Sequence, residues 1–235
     1  MGRVSSIQSL GTLDGPGVRF VVFLQGCPLR CGCCHNPETH EKDGGTEYSA
    51  GQIVNMAVKY KEYFGEKGGI TLSGGEPLMQ AEFAKEIFRK AKQNGINTCL
   101  DTSGCILNDS VKELLKFTDY CMLDIKYNNN ADYLKYVGCK IDTPLEFLSY
   151  LSQKKIKTRI RQVIVPAIND TKADIEKLYG LIKDFGVESV ELLPFKKICE
   201  VKYDNLKKEF PFKAIPSADE QKVNELQEKI NNFLK

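Results

Sequence analysis

Six short apolar runs, each followed by a stretch long enough to cross back, constrain this chain more than any single residue does. Val18–Leu24, Gly69–Leu72, Ile96–Asp101, Tyr120–Ile125, Thr158–Val165 and Ser189–Leu193 are rich in Val, Ile, Leu, Phe and Tyr, and several are apolar almost throughout. Strands of that kind are covered on both faces. Between them the period changes to that of a helix. Gln80–Asn94 sets Phe83, Ala84, Ile87, Phe88 and Ala91 on one face and stops before Gly95, a residue that suits a helix C-terminus. Ser49–Tyr63 opens on Ser49-x-x-Gln52, the pattern of a capping box. Asp174–Phe185 ends before Gly186, and Ala218–Phe233 follows Ser217-x-x-Glu220 and aligns Val223, Leu226, Ile230 and Phe233. Right-handed crossovers between such units make the strands parallel. Six units fall short of the eight in a closed barrel. The expected fold is therefore α/β, an incomplete (β/α)6 barrel of TIM type, with a flat doubly wound sheet as the alternative. The 235 residues are 42% hydrophobic and carry no linker-like or low-complexity tract, so one domain over 1–235 is expected.

The unusual residues collect at the carboxyl ends of these runs. Cys27-Pro-Leu-Arg-Cys31-Gly-Cys33-Cys34-His35-Asn36 follows the first and Ser73-Gly74-Gly75-Glu76-Pro77 the second. Asp101-Thr102-Ser103-Gly104 ends the third, Asp124-Ile125-Lys126 the fourth, and Leu193-Pro194-Phe195-Lys196 the sixth, while Arg161 lies within the fifth. In parallel β/α folds that rim is where active sites are built. Paired glycines are a plain turn, or they let backbone approach a ligand closely, with Glu76 accepting from an ammonium group. Asp101, Asp124 and Lys126 form an ion network of their own, or they hold a zwitterionic, cationic ligand.

Cysteine usage is the anomaly. The chain has nine, an odd number, and Cys27, Cys31, Cys33 and Cys34 fall within eight residues. The other five lie in or beside apolar runs and read as small hydrophobes. Cys27-x3-Cys31-x2-Cys34 supplies three thiolates from one loop, one fewer than the four that a [4Fe–4S] cluster normally takes. The open iron then accepts a non-protein ligand. A structural zinc site completed by Cys33 or His35 is the alternative, but zinc sites usually join two short pairs across a longer gap. The formal net charge of +2 gives no basic surplus for nucleic acid. There is no run of about 18 apolar residues, and MGRVSSIQSL lacks the apolar core of a signal peptide. A soluble, cytoplasmic protein with no membrane or nucleic-acid partner is expected.

The loop CPLRCGCCHN resembles the CxxxCxxC signature of the radical S-adenosylmethionine (SAM) enzymes. GTLDGPGVRF, LSGGEPLMQAEF, CLDTSG, MLDIK and ELLPF, in that order from about Arg3 to Lys235, resemble one branch of them, the glycyl-radical-enzyme activases. The resemblance implies that Cys27, Cys31 and Cys34 hold a [4Fe–4S] cluster whose open iron is chelated by SAM. Reductive cleavage of SAM to methionine and a 5′-deoxyadenosyl radical would then generate a glycyl radical on a partner enzyme. It places Cys33, Cys34 and His35 along the SAM site, Gly74, Gly75 and Glu76 at its amino end, and Asp124, Ile125 and Lys126 at its other polar parts. Asp101, Thr102, Met122 and Asp124 match positions that hold a monovalent cation, and Asp14 in DGPG is assigned to the glycine-bearing peptide. Two positions depart from the family pattern: Cys33 stands where an aromatic residue is usual, and Lys196 where His is frequent, leaving Lys196 a ribose or carboxylate contact. No Cys occurs from Asn36 to Gly69, the region where activases of other glycyl radical enzymes often carry a ferredoxin-like insert. Pyruvate formate-lyase is therefore the expected partner, another glycyl radical enzyme the alternative, with an electron donor such as flavodoxin or ferredoxin and a monomeric state.

Overall fold

The computed structural model describes residues 1–235. Apolar strands and one-sided helices sort the chain into two compact units, Met1–Pro28 with Glu38–Met122, and Leu29–Pro37 with Leu123–Lys235.

In the first unit a long hairpin leads. Strand β1 (Gly2–Gly11) pairs antiparallel with β2 (Arg19–Leu24), and on its other side with the short β3 (Thr46–Tyr48). β2 then pairs in parallel with β4 (Gly69–Gly74), and β4 with β5 (Asn97–Thr102). The register runs Arg19–Gly69–Asn97 at one end and Leu24–Gly74 at the other. Every residue of β2 but Phe23 is buried, as is every residue of β4 but Gly74, as the continuous apolar runs require. Helix α1 (Ala50–Val58) starts on the expected capping box, with Ser49 Oγ accepting from Gln52 N and Gln52 Oε1 from Ser49 N. Helix α2 (Ala81–Gln93) buries Phe83, Ala84, Ile87, Phe88 and Ala91, the face expected of it, at about 2 kcal/mol for each large side chain. It stops at Asn94, and Gly95 takes the left-handed φ of +66°. Helix α3 (Asp109–Leu115) follows β5, capped by Asn108 Oδ1 on Val111 N. Strand β6 (Tyr120–Asp124) then carries the chain out of this unit.

The second unit continues from β6 through α4 (Asn130–Tyr136) and α5 (Asp142–Gln153) to β7 (Lys157–Ile164), α6 (Lys172–Ile182) and β8 (Ser189–Pro194), which pairs in parallel with β7. The short α7 (Glu200–Asn205) and the closing α8 (Glu220–Phe233) follow. Gln227 fastens α8 to β8, accepting from Leu192 N at 2.7 Å and donating to Val190 O at 2.9 Å. Phe233 stacks on Tyr179 of α6 at 4.9 Å.

The six expected strands are β2, β4, β5, β6, β7 and β8, each within two residues of its expected ends, in a parallel-strand α/β fold that does not close into a barrel. Several local expectations change. The Ser49–Tyr63 helix ends at Val58, followed by a separate 3₁₀ turn at Lys61–Tyr63. Asp219, not Ser217, caps α8. After β6 the polar stretch Tyr127–Asn130 buries Tyr127, and Asn129 Oδ1 caps α4 through Asp132 N.

Candidate active site

β2 leaves the sheet at Leu24 and enters the cysteine loop through Gly26, whose φ of +94° favours glycine. The backbone around Cys27 is pinned by the returning segment: Gly26 N donates to Thr39 O (2.8 Å) and Cys27 N to His40 O (3.3 Å). The buried Gln25 amide donates to the carbonyls of Glu38 and Glu41. From the other side, Gly75 N donates to Leu24 O (2.9 Å) and Glu76 N to Gly26 O (2.8 Å). A Cβ on Gly75 would lie 2.3 Å from Gly26 O, and one on Gly74 (φ +110°) 2.3 Å from Leu24 N. The glycine pair is thus what lets two backbone turns lock together.

Glu76 is fully buried and tied to the end of β5. Its Oε1 accepts from Leu78 N (3.1 Å) and Thr102 Oγ1 (2.6 Å), its Oε2 from Ser103 N (3.0 Å) and Ser103 Oγ (2.5 Å). A carboxylate has about four lone-pair positions. All four are taken, so the expectation of an ammonium partner meets a side chain already saturated by the protein. Burial pushes the carboxyl above its ordinary range, against the pull of these donors. Asp101 accepts from Ser73 Oγ at 2.7 Å. The Thr102 hydroxyl is spent on Glu76, and the Met122 side chain is packed with Cys99 and Tyr120, so neither offers a side-chain donor to a cation.

In the second unit the cysteine loop rests on α4. Arg30 N donates to Val137 O and Gly32 N to Tyr136 O. Gly32 lies against Phe212, whose ring a Cβ there would meet at 2.3 Å. Cys33 packs against an apolar cluster of Val165, Phe195, Cys199, Tyr203, Phe210 and Phe212. Burial pushes its thiol up to about 12. None of the nine cysteines is in a disulfide. Beside Cys33 in its apolar packing, the loop's other thiols are Cys27, Cys31 and Cys34, a donor set suited to an iron–sulfur cluster with one corner left open. His35 Nε2 donates to the Lys196 carbonyl at 3.2 Å, which fixes its tautomer, and burial lowers its pKa toward the neutral imidazole. The Lys196 ammonium pairs with Glu220 at 2.7 Å, an exposed contact that takes one of its three donors.

Asp124 is the centre of the charged group formed at the end of β6 with Arg161 from within β7. Its Oδ2 accepts from Lys126 Nζ at 3.0 Å and its Oδ1 from Arg161 Nε at 3.1 Å. Burial alone would raise its pKa, but the two cations outweigh it and hold the carboxyl below its ordinary range. Burial works against the charge of Lys126 as well, and the Asp124 carboxylate reverses it, raising that pKa well above normal. Two cations against one anion leave a net positive charge. Ile125 is fully buried, its N–H donates to the Arg161 carbonyl and its own carbonyl accepts from Gln162 Nε2. Arg161 was legible only as a cation inside an otherwise apolar strand; its ion pair with Asp124 was not.

The DGPG turn precedes β2 and folds back along the sheet: Thr71, level with Val21 in the register, donates to the Asp14 carbonyl, and a Cβ on Gly11 would lie 2.7 Å from Val21 and 3.1 Å from Asp14 Oδ2. The turn is organised by Arg19, fully buried, which donates to Thr71 Oγ1, Asn97 Oδ1 and the carbonyls of Pro16, Lys67 and Ile70. Asp14 joins this arrangement through its carbonyl, which accepts from Thr71 Oγ1 at 2.7 Å.

Residues 21–182 match the Radical SAM superfamily. The pyruvate formate-lyase-activating enzyme of Clostridium pasteurianum is 40% identical over 236 residues, covering 100% of this chain and 99% of that one. The pyruvate formate-lyase 1-activating enzyme of Escherichia coli (strain K12) is 39% identical, covering 92% of this chain and 89% of that one. Among solved structures, Streptococcus suis SuiB bound to S-adenosylmethionine superposes with a TM-score of 0.72 at 16% identity, over 94% of this chain and 48% of that one.

Proposed function

We propose, for a chain that belongs to the Radical SAM superfamily and within it to the pyruvate formate-lyase-activating enzymes, that it generates the glycyl radical of pyruvate formate-lyase under anaerobic conditions. In this reading Cys27, Cys31 and Cys34 hold a [4Fe–4S] cluster that, once reduced, supplies the electron cleaving SAM to methionine and the 5′-deoxyadenosyl radical that takes hydrogen from a glycine of the partner. The chain's own residues bind and orient. Lys126, with one of its three donors on Asp124, turns the others to the carboxylate or ribose of SAM, in a positive field shared with Arg161. The Ser73–Glu76 turn faces the amino end through backbone carbonyls of Gly74 and Gly75, with Glu76 holding the turn rigid. Asp101, Thr102, Met122 and Asp124 are the positions that the resemblance assigns to a monovalent cation. Cys33 and His35 line the site, Cys33 as an apolar wall and His35 as a neutral ring anchored on Lys196.

The observation that carries this reading is the packing of the loop: Cys33 is half-buried against an apolar cluster, and Cys27-x3-Cys31-x2-Cys34 remains as a set of three thiols where a closed zinc or cluster site takes four. The relatives' names and the lack of cysteine from Asn36 to Gly69 favour pyruvate formate-lyase over another glycyl radical enzyme. An electron-carrier protein, a cytoplasmic setting and a monomeric state complete the proposal; no helix is long and apolar enough to cross a membrane.

The test is anaerobic reconstitution with iron and sulfide, reduction, and addition of SAM and purified pyruvate formate-lyase. A glycyl radical in the electron paramagnetic resonance spectrum, dependent on SAM and absent in Cys31→Ala, is expected. 5′-Deoxyadenosine without a glycyl signal would move the partner elsewhere. Stoichiometric zinc without sulfide would overturn the reading.

A further inference from the structure

α7 turns its back on the core in an unusual way. Its buried residues, Cys199 and Tyr203, are spaced i,i+4 and lie on one face within the apolar cluster that also receives Cys33. Val201 points the other way and is 66% exposed, and the adjoining Ile198 is 72% exposed. Two large apolar side chains this exposed within four residues, with Leu206 38% exposed at the other end of the helix, offer apolar surface for a partner. Their surroundings are basic. Residues 196–213 hold six lysines against three acidic residues, a net +3 in a chain whose total is +2, so the other 217 residues sum to −1. This segment is therefore basic on its own account, as residues 154–161, with five cations and no acidic residue, also are.

This surface is joined to the cysteine loop. Lys202 Nζ donates to Asn36 Oδ1 at 3.0 Å, and the Lys196 carbonyl accepts from His35. Cys34, His35 and Asn36 are consecutive, so α7 flanks the loop segment that carries the last of the three proposed cluster thiolates. Every cleavage of SAM consumes one electron, and that electron must enter through a surface close to the cluster.

We propose that the Ile198–Val201 face, with its lysine rim, is the docking site of an acidic one-electron-carrier protein that reduces the cluster. The proposal rests on the functional reading above. The apolar pair forms the dry centre of a small, transient interface, and the lysines steer an acidic partner to it and set its orientation. Such electron-transfer contacts sit at the small end of the size range, matching a patch built on one short helix.

The experiment compares the wild-type chain with Ile198→Glu/Val201→Glu, both reconstituted and anaerobic. The probe is reduced flavodoxin, an acidic flavin protein, with dithionite as the reductant that needs no docking. In the variant, bleaching of the cluster by flavodoxin is expected to slow at least tenfold. In the wild type the flavodoxin rate is expected to fall steeply with added salt. Dithionite-driven methionine release and glycyl-radical yield are expected to be unchanged by the substitutions. Equal flavodoxin rates in the two proteins would overturn the proposal. A glycyl-radical yield that drops under dithionite, while methionine release holds, would also overturn it by assigning the face to the substrate protein. Loss of dithionite-driven SAM cleavage in the wild type would strike the functional reading instead, and flavodoxin bleaching would still decide the surface.

Discussion

Glu76→Gln separates two roles for the glutamate of the SGGEP turn. As a ligand for an ammonium group, Glu76 would be replaced by glutamine at little expense to the fold. The observed hydrogen bonds dictate otherwise. Each carboxylate oxygen faces one backbone N–H, Leu78 at Oε1 and Ser103 at Oε2, besides one hydroxyl. A hydroxyl can rotate to accept from an amide NH2, but a backbone N–H cannot. Either orientation of the glutamine therefore sets NH2 against an N–H, and flipping the amide only exchanges the victim. Orphaning one buried N–H costs about 1–3 kcal/mol, and the surviving bonds weaken from charge-assisted to neutral strength. Relief of the buried charge, which already pushes this carboxyl's pKa upward, offsets part of the loss. A net destabilisation of about 2–4 kcal/mol is expected, read as a lower urea midpoint at unchanged m-value in circular dichroism of the reduced apoprotein. An unchanged midpoint accompanied by loss of SAM affinity would refute the reasoning and restore Glu76 as a direct ligand.

Asp124→Asn leaves Lys126 and Arg161 facing each other without their anion, and is expected to destabilise the protein by about 3–5 kcal/mol in the same assay. Because the Asp124 pKa is depressed, its contribution is complete above the unfolded carboxylate value of about 4 and is lost only as pH falls through the lower folded value. Because the Lys126 pKa is raised, its contribution is complete below the unfolded lysine value of about 10 and is lost as pH rises through the higher folded value, so the wild-type-to-variant difference is expected to stay flat from about pH 5 to 9. Gly32→Ala drives a methyl group into the Phe212 ring and is expected to cost about 1–3 kcal/mol; Phe212→Leu in the same chain restores part of that loss, and a strictly additive double variant would contradict the contact. Tyr127 is buried with no hydrogen-bond partner for its hydroxyl, so Tyr127→Phe is expected to hold or raise the thermal midpoint, by up to about 1 kcal/mol in stability; a clear drop in calorimetry would show that the hydroxyl is bonded.

The parallel strands were legible because burial on both faces removes alternation and leaves runs such as Arg19–Leu24 and Tyr120–Asp124 almost wholly apolar. β1 was not, for the same physics in reverse. The face that is buried at Gly2 and Val4 is exposed at Ser6, Gln8 and Leu10, the other face is only half-buried from Arg3 to Ser9, and its Ser and Gln positions hide the period. Its strand character comes from the neighbour it pairs with, which no local pattern records. α5 carried a readable stripe at Pro144, Phe147, Leu148 and Leu151, yet the proline near its start masks a helix unless it is recognised as belonging to the first turn.

At the site, residue type announced itself and direction did not. Cysteines, paired glycines and charges at strand ends identified the right loops, because parallel folds build their chemistry there. What a side chain faces depends on partners far along the chain. Glu76 is turned inward by Thr102 and Ser103, the Lys196 ammonium pairs with Glu220, and Cys33 is drawn into a cluster assembled largely from residues beyond 190. Asp14 shows the same limit on a larger scale. Its motif is as distinctive as the cysteine loop, but the sequence does not record that the turn folds back on the sheet, where Thr71 takes the Asp14 carbonyl and Arg19 gathers the surrounding acceptors. A distinctive motif therefore locates a structural constraint, and only the contacts it makes along the sheet tell which end that constraint serves.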